Sequence, residues 1–477
     1  MAINSNFSSL APQSWCSSPL FTLTYEPLIN VAPDGGYRSG LAESWSYSND
    51  NKDFTLKLRT DAKFADGTPV DAQAVVKSLE FYKNNPGLVQ VYMKPITAIT
   101  AVDEHTVKVS HDVPFTYMET ILSNNYNCNN GHVISPAGLA DPKALATNTF
   151  GAGAYKLDTS DTVMGDHYTL VPNENYFDKS LQHYSKITFK FMSDPNTAFQ
   201  ALQTGQIDVD LVATGNLVNQ AKAAGITVTD GAPSGPGIML WDLNGEAVPA
   251  LKDVRVRQAL GYAIDRDAVA KVVGPTAKPL DQFALQDTPG YDPNLAEKFT
   301  YDPDKAKKLL ADAGYSNGFE MTLTTFTAQD PVGVTVAQAI QPYLSAIGVK
   351  LTVKALPDAS FFSDITKKQY PGGVFSFALN GTVFHDALRL YKSPYADIWN
   401  VFKTNPPELA AAYEAIVTAT SPEQLDKASR DFNATATAQV LVVPIVQTYN
   451  TYYSKGVEMG KRSPNGGFDW ANWRPSK

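Results

Sequence analysis

Apolar and polar side chains alternate at period two along Ile187-Thr188-Phe189-Lys190-Phe191 and again along Ile207-Asp208-Val209-Asp210-Leu211, the pattern of a half-buried strand. Between them Asp194-Pro195 opens a helix that carries Phe199 and Leu202 and stops at Gly205, which predicts one βαβ unit. A second unit is read farther on. Phe319 to Leu323 is its first strand, and Val336, Ile340, Tyr343, Leu344 and Ile347 line a helix ending at Gly348. Val349 to Val353 resumes as a strand. Two such units more than a hundred residues apart predict two α/β lobes rather than one sheet.

Start and stop signals place further helices. Asp302 caps a helix with Pro303 in its first turn, Ala306, Leu309, Leu310 and Ala313 as its apolar stripe, and Gly314 at its end. Asp71 caps another, with Val70 and Val75 as a hydrophobic staple and Leu79 and Tyr82 continuing the face. Asp253 starts a third, through Val256, Leu260 and Ile264. From Phe54 to Val109 the period is that of strands, and Ile99 to Val102 and Thr106 to Val109 flank Asp103-Glu104-His105 as a hairpin would; this predicts an antiparallel insertion. The Gly/Pro-rich run Gly231 to Gly237 is the expected crossing between lobes.

The chain's 477 residues match about three domains at ~150 residues each and need no staples to build a core. Lys and Arg total 39 against 48 Asp and Glu, a net charge of -9, so no global positive field gathers nucleic acid. The most apolar stretch, Val440 to Val446, contains Pro444 and falls far short of the ~20 residues that span a bilayer. Met1 to Asn6 shows neither a basic segment nor an apolar run, so no export signal is read here; this fits a cytoplasmic protein or one whose signal has been replaced. Two cysteines, Cys16 and Cys128, are too few for a disulfide framework and lack metal or redox spacing.

Catalytic signatures do not emerge. Gly456 to Lys461 is one residue short of a phosphate loop, and Arg462 follows where Ser or Thr would hold magnesium. Gly151-Ala152-Gly153 lacks the third glycine of a dinucleotide fingerprint, and the six histidines show no paired spacing for zinc. The expectation is therefore a protein that is not an enzyme and carries no cofactor or metal. The rival reading is a hydrolase or transferase on a similar two-lobed scaffold.

Leu41-Ala42-Glu43-Ser44-Trp45, Phe54 to Arg59 and Lys63-Phe64-Ala65-Asp66-Gly67-Thr68-Pro69-Val70 closely resemble the signature of the family 5 extracytoplasmic solute-binding proteins of ABC importers. The likeness continues in the family's order through Tyr25-Glu26-Pro27-Leu28, Gly151 to Tyr155, Leu202 to Asp208, Asp253 to Leu260 with Ala263 to Arg266, and Tyr301 to Tyr315. The resemblance implies an α/β, two-lobed periplasmic-binding-protein-like clamshell (type II, cluster C) with an extra subdomain in lobe one. The expected boundaries are 1–37, 150–236 and 446–477 for lobe one, 38–149 for the inserted subdomain and 237–445 for lobe two. It also implies capture, between the lobes, of a peptide-like or other small polar solute, delivered to a membrane permease by a monomer outside the cytoplasm. The location would be periplasmic or lipid-anchored at the outer face of the membrane. The quoted blocks themselves read as scaffold, with Arg255 or Arg257 in structural ion pairs.

By family position four segments face the ligand. They contribute Trp15 and Ser17; Asn125, Tyr126 and Asn129; Trp241 and Asn244 just after the crossing; and Asn380, Thr382 and His385 within 377–386, with Trp399 as an aromatic neighbour beside Tyr395. Amide and aromatic side chains suit a cleft that must replace a solute's hydration. Peptide-binding relatives carry Trp-x-x-Asp in the last segment, pairing with the peptide ammonium. Asn380 cannot neutralise a cation, and Asp386 is displaced along the chain. That departure raises an oligosaccharide, an opine or a metal chelate beside the free peptide. Because Cys16 and Cys128 both map to the cleft side of lobe one, the resemblance also implies that they form a disulfide.

Overall fold

In the computed structural model, Asp302 accepts the Lys305 N–H at 2.8 Å and opens the helix Pro303–Asp312, and Gly314 leaves it at φ +87°. Asp71 accepts the Ala74 N–H at 2.7 Å, with Val70 and Val75 both buried, and opens Ala72–Asn84. The helix begun at Asp253 runs Val254–Tyr262 and stops just short of Ile264, and a second cap, Asp265, then starts Arg266–Val273. The structure describes residues 1–3, 7, 9–14, 18–32, 34–85, 90–124, 131–212, 215–286, 288, 290–295, 298–326, 330–357, 360–377, 383, 399–460, 462, 468 and 470–476.

The chain forms two units, Met1–Ala232 with Asn450–Lys477, and Pro233–Tyr449. In the first, Ile187–Phe191, the helix Pro195–Gln203 and Val209–Asp210 follow one another as expected. Their strands are not neighbours, however. Ala2–Ile3 lies between them and pairs in parallel with both, Ala2 facing Lys190 on one side and Asp210 on the other. Ile187–Phe191 continues antiparallel to His167–Pro172, and that strand to Tyr155–Leu157. Phe199, Leu202, Ile207 and Tyr453 form the core beneath the helix.

A separate antiparallel sheet in this unit runs in the order Ala42–Ser48, Asp53–Leu58, Thr106–His111, Ile96–Asp103. Asp103 pairs with Thr106, so the hairpin turn narrows to Glu104-His105. Phe54, Leu56, Val107 and Val109 alternate onto its buried face.

The second unit contains the other βαβ unit in its simplest form. Phe319–Phe326 and Val349–Leu356 pair in parallel along their whole length around the helix Pro331–Ala346. On the other side of 319–326 lies Gly372–Phe377, with Thr324 facing Gly373 in parallel. Gly235 to Leu240 pairs antiparallel with 372–377. The Gly/Pro-rich run is thus not a loop: it lies inside the continuous strand Thr227–Leu240, and the division between units falls at Ala232 and Pro233. Its glycines and prolines are accommodated because the ladder partners come from distant strands.

Candidate functional site

The second unit has a point where strand order reverses. The chain leaves 319–326 toward 349–356 on one side, and its next strand, 372–377, lies on the other. Open α/β sheets place ligands beyond the carboxyl ends of strands at such a reversal. Here one carboxylate organises that edge. Asp330 caps the helix 331–346 by accepting the Gly333 N–H at 2.8 Å, and accepts from both the Ser376 amide and, at 3.0 Å, the Ser376 hydroxyl. It thereby joins the helix start to the end of the strand that feeds segment 377–386. Gly333 is required there, because a Cβ would stand 2.8 Å from the Phe375 Cα. Ser234, opposite the end of the same strand, has a buried hydroxyl without a partner among the described residues. Neither Asp330 nor Ser234 was singled out from sequence: an N-cap reads as scaffold, and the serine sits in a run that resembles a turn.

Of the residues expected to meet ligand, Trp15, Ser17, Asn125, Tyr126, Asn129, Asn380, Thr382 and His385 lie outside the described residues, as do Tyr395 and the proposed disulfide partners Cys16 and Cys128. Trp241, expected as an exposed indole near the crossing, is instead buried at 1% exposure, and its amide donates to the Pro371 carbonyl at 2.8 Å. It stands at the far end of its strand, roughly 26 Å from Pro233 at the usual rise per residue. Its ring stacks on Phe375 at 6.0 Å, and Trp399 lies against the same ring at 5.3 Å. Phe326 and Phe361, themselves stacked at 3.9 Å, complete an aromatic layer around Phe375. The structure therefore brings Trp241 and Trp399 together as packing, while the indole N–H of Trp241 has no partner among the described residues. Asn244 is exposed in the turn that follows. Asp242 holds that turn by accepting the Glu246, Ala247 and Val248 amides at 2.7 to 2.8 Å.

The sequence blocks that carry the family resemblance are structural. Asp66 closes a turn on the Thr68 amide at 2.9 Å, with Gly67 at φ +87°. Gly151 and Gly153 let the chain pass against the helix Pro19–Thr24: a Cβ would stand 2.2 Å from the Thr24 carbonyl oxygen at one and 2.4 Å from that of Leu23 at the other. Arg255 pairs with Asp253 at 2.6 Å, as expected. Arg257 donates to the carbonyls of Leu251, Lys252 and Gln439, and Arg266, fully buried, to those of Gly261, Ile264, Leu280 and Pro444. Burial lowers the Arg266 guanidinium to about 10, against the pull of Asp281. Among the described residues no cluster of His, Cys, Asp and Glu could hold a metal, and no helix is long and apolar enough to cross a membrane.

The chain thus presents two α/β units, the second with a capped helix beside its strand reversal. The profile of the bacterial extracellular solute-binding proteins, family 5 (Middle), matches residues 36–396. The chain belongs to that family. Among its relatives are the glutathione-binding protein GsiB of Escherichia coli K12, 29% identical over 394 residues (79% of this chain, 73% of that one), and of Salmonella paratyphi A, 28% identical over 445 residues (86% and 83%). Similar solved structures include AgaA of A. tumefacien R10 with agropinic acid, at TM-score 0.81, 24% identity and coverage of 100% and 98%. NikA of Brucella suis with Fe(III)-EDTA superposes at TM-score 0.83, 20% identity and coverage of 100% and 99%. These two share the α/β fold of this chain.

Proposed function

We propose that this chain is the receptor component of an ABC importer, capturing a small polar, peptide-like solute outside the cytoplasm and passing it unchanged to a membrane permease. The observation that carries the reading is the family match across 36–396, a span that includes the strand reversal and the Asp330 cap of the second unit. Glutathione is the first solute to test, after the relatives that bear its name. An opine or a metal chelate is the second, favoured by Asn380 at the sequence position where, by the family resemblance, peptide binders carry a carboxylate, and by solved neighbours that hold such ligands. The protein acts as a monomer outside the cytoplasm, in the periplasm or lipid-anchored at the outer face of the cell membrane.

A thermal-shift panel of reduced glutathione, di- and tripeptides, agropinic acid, a nickel–histidine chelate and an oligosaccharide tests the reading. One class should raise the melting temperature, since ligand at a hundredfold its Kd adds about 2.7 kcal/mol to the folded state. Mass spectrometry should recover that ligand intact. Steady turnover would replace this reading with the hydrolase or transferase, and no shift with any of them would overturn the solute classes named.

A further inference from the structure

Two of the Asn-Gly pairs in the sequence, Asn244-Gly245 and Asn317-Gly318, lie in described turns of the second unit. Sequence alone makes them equivalent. Both asparagines are exposed, and both glycines are left-handed, at φ +72° and +71°, a conformation that excludes most side chains. Such a pair carries an intrinsic reaction. The glycine amide nitrogen, with no side chain to shield it, attacks the asparagine Cγ. The new N–Cγ bond forms, the Cγ–Nδ2 bond breaks, and ammonia leaves with the amide proton, closing a cyclic succinimide. Water then opens one of its two carbonyls, to give aspartate or isoaspartate.

What separates the two turns is the hold on the attacking nitrogen. The Gly318 N–H donates to the Tyr315 carbonyl at 2.8 Å, and the residue is pressed on the turn facing it: a Cβ would stand 1.8 Å from the Gly348 carbonyl oxygen. The next amide, of Phe319, donates to that same oxygen at 3.3 Å. Gly245 is held loosely. Its N–H reaches the Asp242 carbonyl only at 3.4 Å, beyond the ordinary range of such a bond, and a Cβ there would stand 3.0 Å from the Pro249 carbonyl oxygen. Firm anchorage begins one residue later, where Glu246, Ala247 and Val248 donate to the Asp242 carboxylate at 2.7 to 2.8 Å. Asn244-Gly245 is the slack link of a clamped turn. Asp242 is fully buried, so its carboxylate depends on those three donors. Isoaspartate at 244 would route the main chain through the side-chain carbon and lengthen it by a methylene between the carboxylate and its donors; aspartate would keep the spacing.

We infer that Asn244 is a modification site: in the folded protein it passes through the succinimide in preference to Asn317, and its isoaspartate product releases the 246–248 amides from Asp242. Nothing in this chemistry depends on the solute carried. The full chain, held folded in mildly alkaline buffer and sampled over days, tests it by peptide mapping. Each conversion adds about 1 Da, and an isoaspartate-specific carboxyl methyltransferase with labelled S-adenosylmethionine marks the isoaspartate. Expected is conversion at Asn244 at least tenfold faster than at Asn317, with the two rates equal in the urea-unfolded chain. Equal rates in the folded protein, or a faster Asn317, would overturn the inference, and so would a tenfold gap that persists in urea, since the fold would then not be its cause. In Asn244→Gln, whose longer side chain does not close that ring, the methyl label should vanish from this turn's peptide; label remaining there sinks the assignment. Hydrogen exchange reads the consequence. The isoaspartate species, isolated by anion exchange, should exchange the 246–248 amides at least tenfold faster than unmodified protein, while Asn244→Asp stays close to unmodified. Unaltered exchange in the isoaspartate species would refute the release.

Discussion

Acidification should destabilise the first unit through its buried imidazoles, of which His132 is the most strongly shifted. His132 is buried, its ring is stacked on Tyr25 at 6.2 Å, and neither ring nitrogen has a hydrogen-bond partner among the described residues. Its backbone is anchored separately, by the Tyr82 hydroxyl donating to its carbonyl at 2.9 Å and by a bridge to Pro27. Burial without a partner favours the neutral ring and pushes its pKa down from 6.5 to about 3. In the unfolded chain the same ring takes up a proton near 6.5. Between those values the unfolded state binds more protons, so stability is whole above pH 6.5 and falls as the pH drops toward 3. The linkage relation gives a loss of about 2 kcal/mol between pH 7 and pH 5, rising to about 4 kcal/mol once the pH reaches the folded value. His111, lowered to about 4 mainly by burial, adds a similar loss in the same window, so the wild type alone does not isolate His132. Urea unfolding of wild type and His132→Leu at both pH values does. The variant's stability should change by about 2 kcal/mol less between them. Parallel pH slopes, within about 0.5 kcal/mol, would mean that the folded ring takes up its proton near the ordinary value, and the reasoning fails.

Two further substitutions probe the features that frame the site. Asp330→Ala removes a helix cap worth about 1 kcal/mol and a charged acceptor for both Ser376 donors worth about 1.5–3 kcal/mol, so chemical denaturation should register a loss of about 3 kcal/mol in the second unit; less than about 1 kcal/mol would show that the clamp carries little. Gly151→Ala forces a methyl to within 2.2 Å of the Thr24 carbonyl oxygen, and a melting temperature lowered by at least about 4 °C is expected, whereas an unchanged one would mean that the helix 19–24 yields freely.

Elements whose period is written in their own residues were legible before the structure. The helix capped by Asp302, the hairpin turning at Glu104-His105 and the parallel pair 319–326 and 349–356 all declare themselves by alternation or by a cap and a stop. What escaped depends on distant partners. Ala2–Ile3 is too short to show a period, yet it separates the two strands of the first βαβ unit. Thr227–Leu240 contains two prolines and three glycines and is nevertheless a strand, because its ladder partners, such as Phe377 and Pro444, lie far along the chain. Trp241 illustrates the ambiguity of an aromatic: a large ring after a crossing fits stacking on a ligand, and only Phe375 and Pro371 show it to be packed inside.

The tight passage of Gly151 and Gly153 against the helix 19–24, and the turn at Asp66 and Gly67, have a consequence for how such receptors diversify. The residues that advertise kinship are bound to the frame by steric necessity, so mutation there is punished whatever cargo is carried. Selection on cargo must act elsewhere, and descendants can exchange one nutrient for another while their most recognisable blocks stay fixed. Kinship read from those blocks therefore groups these proteins by architecture, and sorting them by diet requires comparing the stretches between.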